Sequence, residues 1–166
     1  MPGASAPSSR PRSAWSQPRL RDNPFTLGVA SGTPQHDGVV LWTRLVQTGL
    51  FGGSSLPDAP ITVRWELAHD EAFARIAQKG QAQALPALGP SVHVEVGGLD
   101  SERSYFYRFM VGGDGNDWVS APGRTRTLPA PDAKPAALRL AYASCQRWEH
   151  GYFGAWRHLV ADQPAA

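Results

Sequence analysis

Residues 91–111, SVHVEVGGLDSERSYFYRFMV, carry the clearest structural signal in the chain. Two short segments of this stretch alternate residue by residue. Their apolar positions are Val92, Val94 and Val96, then Tyr105, Tyr107, Phe109 and Val111. Successive side chains of a β-strand point to opposite faces, so a period of two predicts a strand with one buried face. The stretch therefore predicts two half-buried strands separated by a loop.

The loop between these strands has a spacing of its own. Leu99 follows Gly97-Gly98 and precedes Tyr105 by six residues. This arrangement resembles the corner of fibronectin type III and immunoglobulin-like domains, in which a tyrosine hydroxyl bonds back to the backbone of the preceding loop. The alternative is that Tyr105 is an ordinary core tyrosine.

Short apolar runs between turn residues extend over most of residues 25–127. They predict strands at Phe25–Ala30, Val39–Val46, Ile61–Ala68, Val92–Val96, Tyr105–Val111, Trp118–Ser120 and Arg124–Thr127. Asp70–Lys79 is ambiguous, because its apolar residues have helical spacing while a turn leading into an edge strand fits equally well. About seven strands over roughly 100 residues predict a mainly β fold, a β-sandwich of the immunoglobulin or fibronectin type III kind, for residues 24–128.

The residues before the sandwich differ in composition. Residues 1–23 are rich in proline and serine. Four arginines precede the first acidic residue, Asp22, so the tail carries more positive charge than the net +2 of the whole chain. We predict a disordered, solvated tail with no nucleic-acid-binding patch, because no basic face is interleaved with aromatic residues. No apolar run approaches the ~18 residues of a transmembrane segment. The tail also lacks an apolar signal-peptide core and a twin arginine.

A second structural unit is predicted after the sandwich. Residues 129–137 form a proline-rich linker, which the apolar run Leu138–Ser144 and the helically spaced Phe153, Trp156, Leu159 and Val160 follow. A strand in a parallel sheet needs neighbours on both sides and helices above and below. We therefore predict that residues 138–166 are the first β-α unit of an incomplete α/β domain.

Cys145 is the candidate site residue that the sequence places best. It follows the carboxyl end of the predicted strand, where ligands gather in open α/β sheets. A thiolate there could be a nucleophile or a ligand for a thiophilic metal, while a small buried hydrophobe is the plainer reading. His150 and His158 make no recognised ligand spacing with it. Residues 1–137 contain no phosphate-binding glycine loop or nucleophile elbow, and we predict no catalysis from them.

Several segments resemble, in the same order, the PhoD-type alkaline phosphatases. They are NPFTLGVASG at 23–32, DGVVLWTRL at 37–45, VRWE at 63–66, SVHVEV at 91–96, YFYRF at 105–109, GRTRT at 123–127 and ASCQ at 143–146. The resemblance implies an immunoglobulin-like N-terminal domain joined to a calcineurin-like metallophosphatase domain. It also implies hydrolysis of phosphate mono- and diesters at alkaline pH and a secreted or periplasmic location.

The resemblance further implies a metal centre of ferric iron and calcium, in which the ASCQ cysteine is a ligand to the iron. By this resemblance, Cys145 is the one residue of this sequence that corresponds to a metal ligand of the family. The family's other ligand motifs are not recognisable in this sequence. We expect an N-terminal fragment that is inactive by itself and does not bind these metals tightly. The alternative is a stand-alone immunoglobulin-like binding module.

Overall fold

A computed structural model describes residues 20–47, 56–113, 116–137, 141, 144 and 151–162. Eight β-strands, one short 3₁₀-helix and one α-helix lie within these residues. They are β1 Val29–Gly32, β2 Val39–Arg44, β3 Ile61–Ala68, β4 Ile76–Ala84, the 3₁₀-helix Pro86–Leu88, β5 Ser91–Val96, β6 Ser104–Gly113, β7 Asn116–Val119, β8 Gly123–Arg126 and α1 Gly154–Ala161.

The strands form two antiparallel sheets. One has the order β1-β2-β5, and the other has the order β4-β3-β6 with both β7 and β8 paired to β6. The inner faces of the two sheets share one apolar core. The prediction of a mainly β sandwich is therefore confirmed.

The predicted alternation gives the core its residues. Leu41, Val63 and Leu67 are fully buried, and the valines of β5 are buried while His93 and Glu95 between them are exposed. The inner residues of β6 are buried as well; they are Tyr105, Tyr107, Phe109 and Val111. Burying one large apolar side chain contributes roughly 1.5–3 kcal/mol, so these inner rows supply most of the stabilisation.

The predicted first strand, Phe25–Ala30, is wrong at both ends. The Gly28 amide donates to the Phe25 carbonyl at 2.9 Å, and Gly28 has a φ of +75°, so residues 25–28 form a turn. The strand begins at Val29 and runs through Ser31 and Gly32, two residues beyond its predicted end. A buried Phe25 side chain fills the core from the turn, so its apolar character did not indicate a strand.

The ambiguous segment is a turn that leads into an edge strand, β4. Its inward positions, Ala84, Ala82 and Gly80, are small, and its outward positions are mostly glutamine and lysine. This composition gives no apolar period. The small residues make room for Trp65, since a Cβ on Gly80 would lie 2.7 Å from Cζ2 of that indole.

The last strand of the sandwich is divided in two. Between β7 and β8 the Ser120 amide still donates to the Phe109 carbonyl at 2.9 Å, and the ladder is interrupted at Ala121-Pro122, where proline has no amide hydrogen to donate. The Ser120 hydroxyl replaces a ladder partner: it accepts from the Phe109 amide at 3.0 Å and donates to the Ala121 carbonyl at 2.9 Å. The interruption therefore leaves the buried Phe109 amide satisfied.

The Gly80→Ala substitution should destabilise the sandwich by about 1–3 kcal/mol, because the added methyl group overlaps the Trp65 ring. Urea unfolding followed by tryptophan fluorescence measures the change. Gly32→Ala in β1 is the control, since nothing lies within 4 Å of a Cβ there, and it should be neutral or slightly stabilising. Equal stability of the two variants would contradict the packing of Trp65 on β4.

Candidate functional site

The segment with the predicted metal ligand falls outside the described part of the chain. Cys145, His150 and most of the predicted strand Leu138–Ser144 lie outside the described residues. The helix that the sequence predicted after them is present as α1, Gly154–Ala161. Its apolar side chains are not buried: Trp156 is 41% exposed and Val160 67% exposed. No helix in the described part of the chain has the length and apolarity that crossing a membrane requires.

The titratable side chains of the sandwich do not converge. Within residues 20–47, 56–113, 116–137, 141, 144 and 151–162, no group of three or more His, Cys, Asp or Glu side chains could hold a metal ion. Nδ1 of His36 lies 3.6 Å from a carboxylate oxygen of Asp37, and the ring centroids of His69 and Tyr105 are 5.4 Å apart. His93 is exposed on β5. The described residues therefore do not fit an iron or calcium site.

Tyr105 occupies the corner that the sequence predicted. It is 1% exposed, and its hydroxyl accepts a hydrogen bond from the Asp100 amide at 3.0 Å. This hydrogen bond links the backbone of the loop before β6 to the buried Tyr105 side chain and so holds the loop in place. The corner assignment is confirmed.

A second polar residue, Thr127, completes this corner. Its hydroxyl donates to the Asp100 carbonyl at 2.7 Å and accepts from the Arg103 amide at 3.0 Å. The Thr127 amide also donates to the Arg103 carbonyl at 3.0 Å, and the residue is 1% exposed. Sequence reasoning missed this role, because a threonine at the end of a strand carries no local signal for partners 24 and 27 residues away.

The outer face of the larger sheet carries paired charges. Two nitrogens of Arg108 donate to one Glu66 carboxylate oxygen at 2.9 and 2.7 Å, and the Phe73 ring lies 4.1 Å from the guanidinium carbon. Beside them, Arg64 pairs with Asp117. These ions are held by each other, and such pairing favours a structural role over acid–base chemistry.

The turn before β4 holds Phe73 in place. Phe73 has a φ of +56°, a conformation that an aromatic residue rarely adopts. Asp70 stabilises the turn, since its carboxylate accepts from the Ala74 amide at 3.0 Å and the Arg75 amide at 2.9 Å. The hydrogen bond from Ala74, with smaller contributions from Arg75, lowers the pKa of Asp70.

One tyrosine of the core also has a shifted pKa. Burial raises the pKa of Tyr107, against a smaller opposing effect of its hydrogen bond with Ser31. Its ring lies edge-on to Phe109, with 6.3 Å between the centroids. Tyr107 is therefore a buried side chain of the core.

Comparison with known proteins identifies the family of this chain. The profile of the PhoD-like phosphatase, N-terminal domain, matches residues 9–129. The chain belongs to the PhoD-like phosphatase family. Alkaline phosphatase D of Bacillus subtilis (strain 168) is 47% identical over 146 residues, which are 88% of this chain and 24% of that protein.

A solved structure of the family shares this fold. The structure of PhoD aligns with 86% of this PhoD-like chain and 26% of its own, with 47% identity and a TM-score of 0.79. A fibronectin type III domain of the human KIAA0970 protein aligns with 72% of this chain and 84% of its own, with 13% identity and a TM-score of 0.46. The chain spans about a quarter of the length of the curated relative that it matches.

Removing the corner hydrogen bond should destabilise the sandwich. Tyr105→Phe leaves the Asp100 amide without its partner and should cost about 1–3 kcal/mol, while Tyr105→Ala also creates a cavity and should cost about 3–5 kcal/mol. Denaturant unfolding measures both. Tyr152, which is 97% exposed, provides the control, and Tyr152→Phe should leave stability unchanged. If Tyr105→Phe unfolds at the same denaturant concentration as the parent, the corner does not stabilise the fold.

Acid should weaken the turn that Asp70 holds. Because the folded-state pKa of Asp70 is lowered, its contribution is present above the unfolded pKa of about 4 and is lost as pH falls through the folded value. Carboxylates titrate between roughly pH 6 and pH 2. Over this range the parent should therefore lose more free energy of unfolding than the Asp70→Ala variant does. Urea midpoints across this range, with circular dichroism at neutral pH to verify folding, test this. Equal losses in both proteins would contradict it.

Proposed function

We propose that this chain provides the N-terminal accessory domain, residues 24–128, of an alkaline phosphatase that hydrolyses phosphate mono- or diesters. The observation that carries the proposal is the 47% identity to Alkaline phosphatase D across 88% of the chain. Identity at this level spans both the sandwich and the segment after it. The relative's chemistry is thus the best guide to the reaction that this chain serves.

The sandwich supports the enzyme and does not supply its catalytic groups. Its charged side chains form mutual pairs such as Glu66 with Arg108, and its buried tyrosines serve in packing. Catalytic acids and bases work with pKa values shifted toward the working pH and with access to substrate. The described sandwich offers hydrogen bonds and packing instead, which is the character of a scaffold.

We assign Cys145 as one ligand of the proposed ferric iron, beside calcium, in the metallophosphatase domain that residues 138–166 begin. A coordinating cysteine binds as the thiolate, and a neighbouring metal ion stabilises that charge. No group of three or more His, Cys, Asp or Glu side chains in the described part of the chain could hold a metal ion, and we propose that the other ligands come from the rest of the enzyme. The 166-residue chain by itself should therefore be inactive and bind iron weakly. We also propose, from the family, that the enzyme is secreted or periplasmic.

A chimera tests the proposal. The matching segment of the Bacillus subtilis relative is replaced by this chain, and p-nitrophenyl phosphate hydrolysis at alkaline pH is measured together with iron content. The chimera should be active, and Cys145→Ala should lower turnover about 100-fold or more and reduce bound iron. Leu88→Ala is the control, because Leu88 is 64% exposed on the sandwich surface and should change neither quantity.

Three results would contradict parts of this reading. Cysteine-dependent turnover by the 166-residue chain alone would show that its own residues suffice for catalysis. Unchanged iron content and turnover in the Cys145→Ala chimera would remove the cysteine from the metal centre. A folded chimera without activity would favour the stand-alone binding module.

A further inference from the structure

The chain leaves the sandwich through a bonded junction, which we call the exit junction: residues 35–37, 99–103 and 127–128. β8 ends at Arg126, yet the next two residues remain hydrogen-bonded. The Leu128 amide donates to the Gln35 carbonyl at 2.9 Å, and the Glu102 amide donates to the Leu128 carbonyl at 2.9 Å. The two loops are also joined directly, because the Leu99 amide donates to the Asp37 carbonyl at 2.9 Å.

Thr127 lies at the centre of the exit junction. Its hydroxyl acts as donor to Asp100 and acceptor from Arg103, and the residue is almost completely buried. Buried backbone groups that lose a partner cost free energy, so this hydroxyl ties the end of β8 to the loop that Tyr105 anchors. An ordinary strand end frays, since its amides and carbonyls bond to water.

The residues after the junction transmit its direction. Pro129, Pro131 and Pro135 stand in the linker, and each proline fixes φ near −65°. The linker then continues as a hydrogen-bonded turn, in which the Ala133 amide donates to the Ala130 carbonyl at 2.9 Å. A fixed starting direction at Leu128 is thus carried forward along the chain toward the segment that holds Cys145.

We propose that Thr127 is a positioning residue: it fixes the direction in which the chain leaves the sandwich and enters the linker that leads to the Cys145 segment. The importance of that segment rests on the proposed function, whereas the junction itself rests on the hydrogen bonds described above.

Distance measurements on the full 166-residue chain test the proposal without any assay of activity or iron. Spin labels are attached at Glu95→Cys on β5 and Ala133→Cys in the linker, both exposed, in a Cys145→Ser background. Double electron–electron resonance should give a narrow distance distribution for this parent. Thr127→Val, which keeps the shape but removes the hydroxyl, should broaden the distribution about twofold. Thr127→Ser, which keeps the hydroxyl, should restore it.

The control is Thr62→Val on the outer face of β3, which removes an exposed hydroxyl bonded to Gln83 and should leave the distribution narrow. Hydrogen exchange adds a local readout: the amides of Glu102 and Leu128 should exchange about 10-fold faster in Thr127→Val. If Thr127→Val does not fold, Leu128→Pro cuts the bond to Gln35 while it leaves the buried hydroxyl in place, and it should broaden the distribution equally.

Two outcomes would overturn the proposal. A broad distribution in the parent would show that the exit direction is not fixed. A narrow distribution in a folded Thr127→Val or Leu128→Pro variant would show that the junction does not fix it. Because none of these readouts depends on metal or turnover, their failure is separate from the failure of the proposed phosphatase function.

Discussion

Large rings on the inner faces of β3 and β6 need space that neighbouring strands provide through glycine. Trp65 lies over Gly80 of β4, and Tyr107 lies over Gly123 of β8, where an added Cβ would overlap the ring. Because side chains alternate between faces, a shift of one residue in either strand would bring a larger residue under the ring. The ring–glycine contacts thereby fix the register of both outer strands of the larger sheet, and the position of the core follows from that register.

Side-chain hydroxyls and carboxylates complete the fold where the strand ladders stop. Ser120 satisfies the Phe109 amide at the break between β7 and β8, Thr127 bonds both sides of the loop at Asp100, and Asp70 holds the turn before β4. Each of these residues supplies a partner that a neighbouring strand does not. Buried backbone groups require such partners, so a sandwich with short strands depends on them more than one with long strands does.

Many polar groups of the described sandwich bond to one another. Several charges on the sandwich surface are paired, among them Glu66 with Arg108, and the Tyr105 hydroxyl bonds to the backbone of a loop. In the proposed function, the segment that holds the metal ligand Cys145 comes after residue 137. The exit junction is the place where the described chain leaves the sandwich toward that segment. Under the proposed function the sandwich would influence the reaction by orientation, which is a substantial part of catalysis when reacting groups must be held in place.

The sequence by itself determined the alternating strands β2, β3, β5 and β6, the Tyr105 corner, the helix α1 and the family. These features are written in local spacing, because a buried face repeats every two residues in a strand and every three or four in a helix. Cys145 also came from the sequence, through its position and the ASCQ resemblance, and its role stays a prediction. Only the tertiary structure decided that β4 is a strand, that β1 starts at Val29 and that Thr127 completes the corner. Small inward residues leave no hydrophobic period, and the partners of Thr127 lie 24 and 27 residues away, where no local pattern reports them.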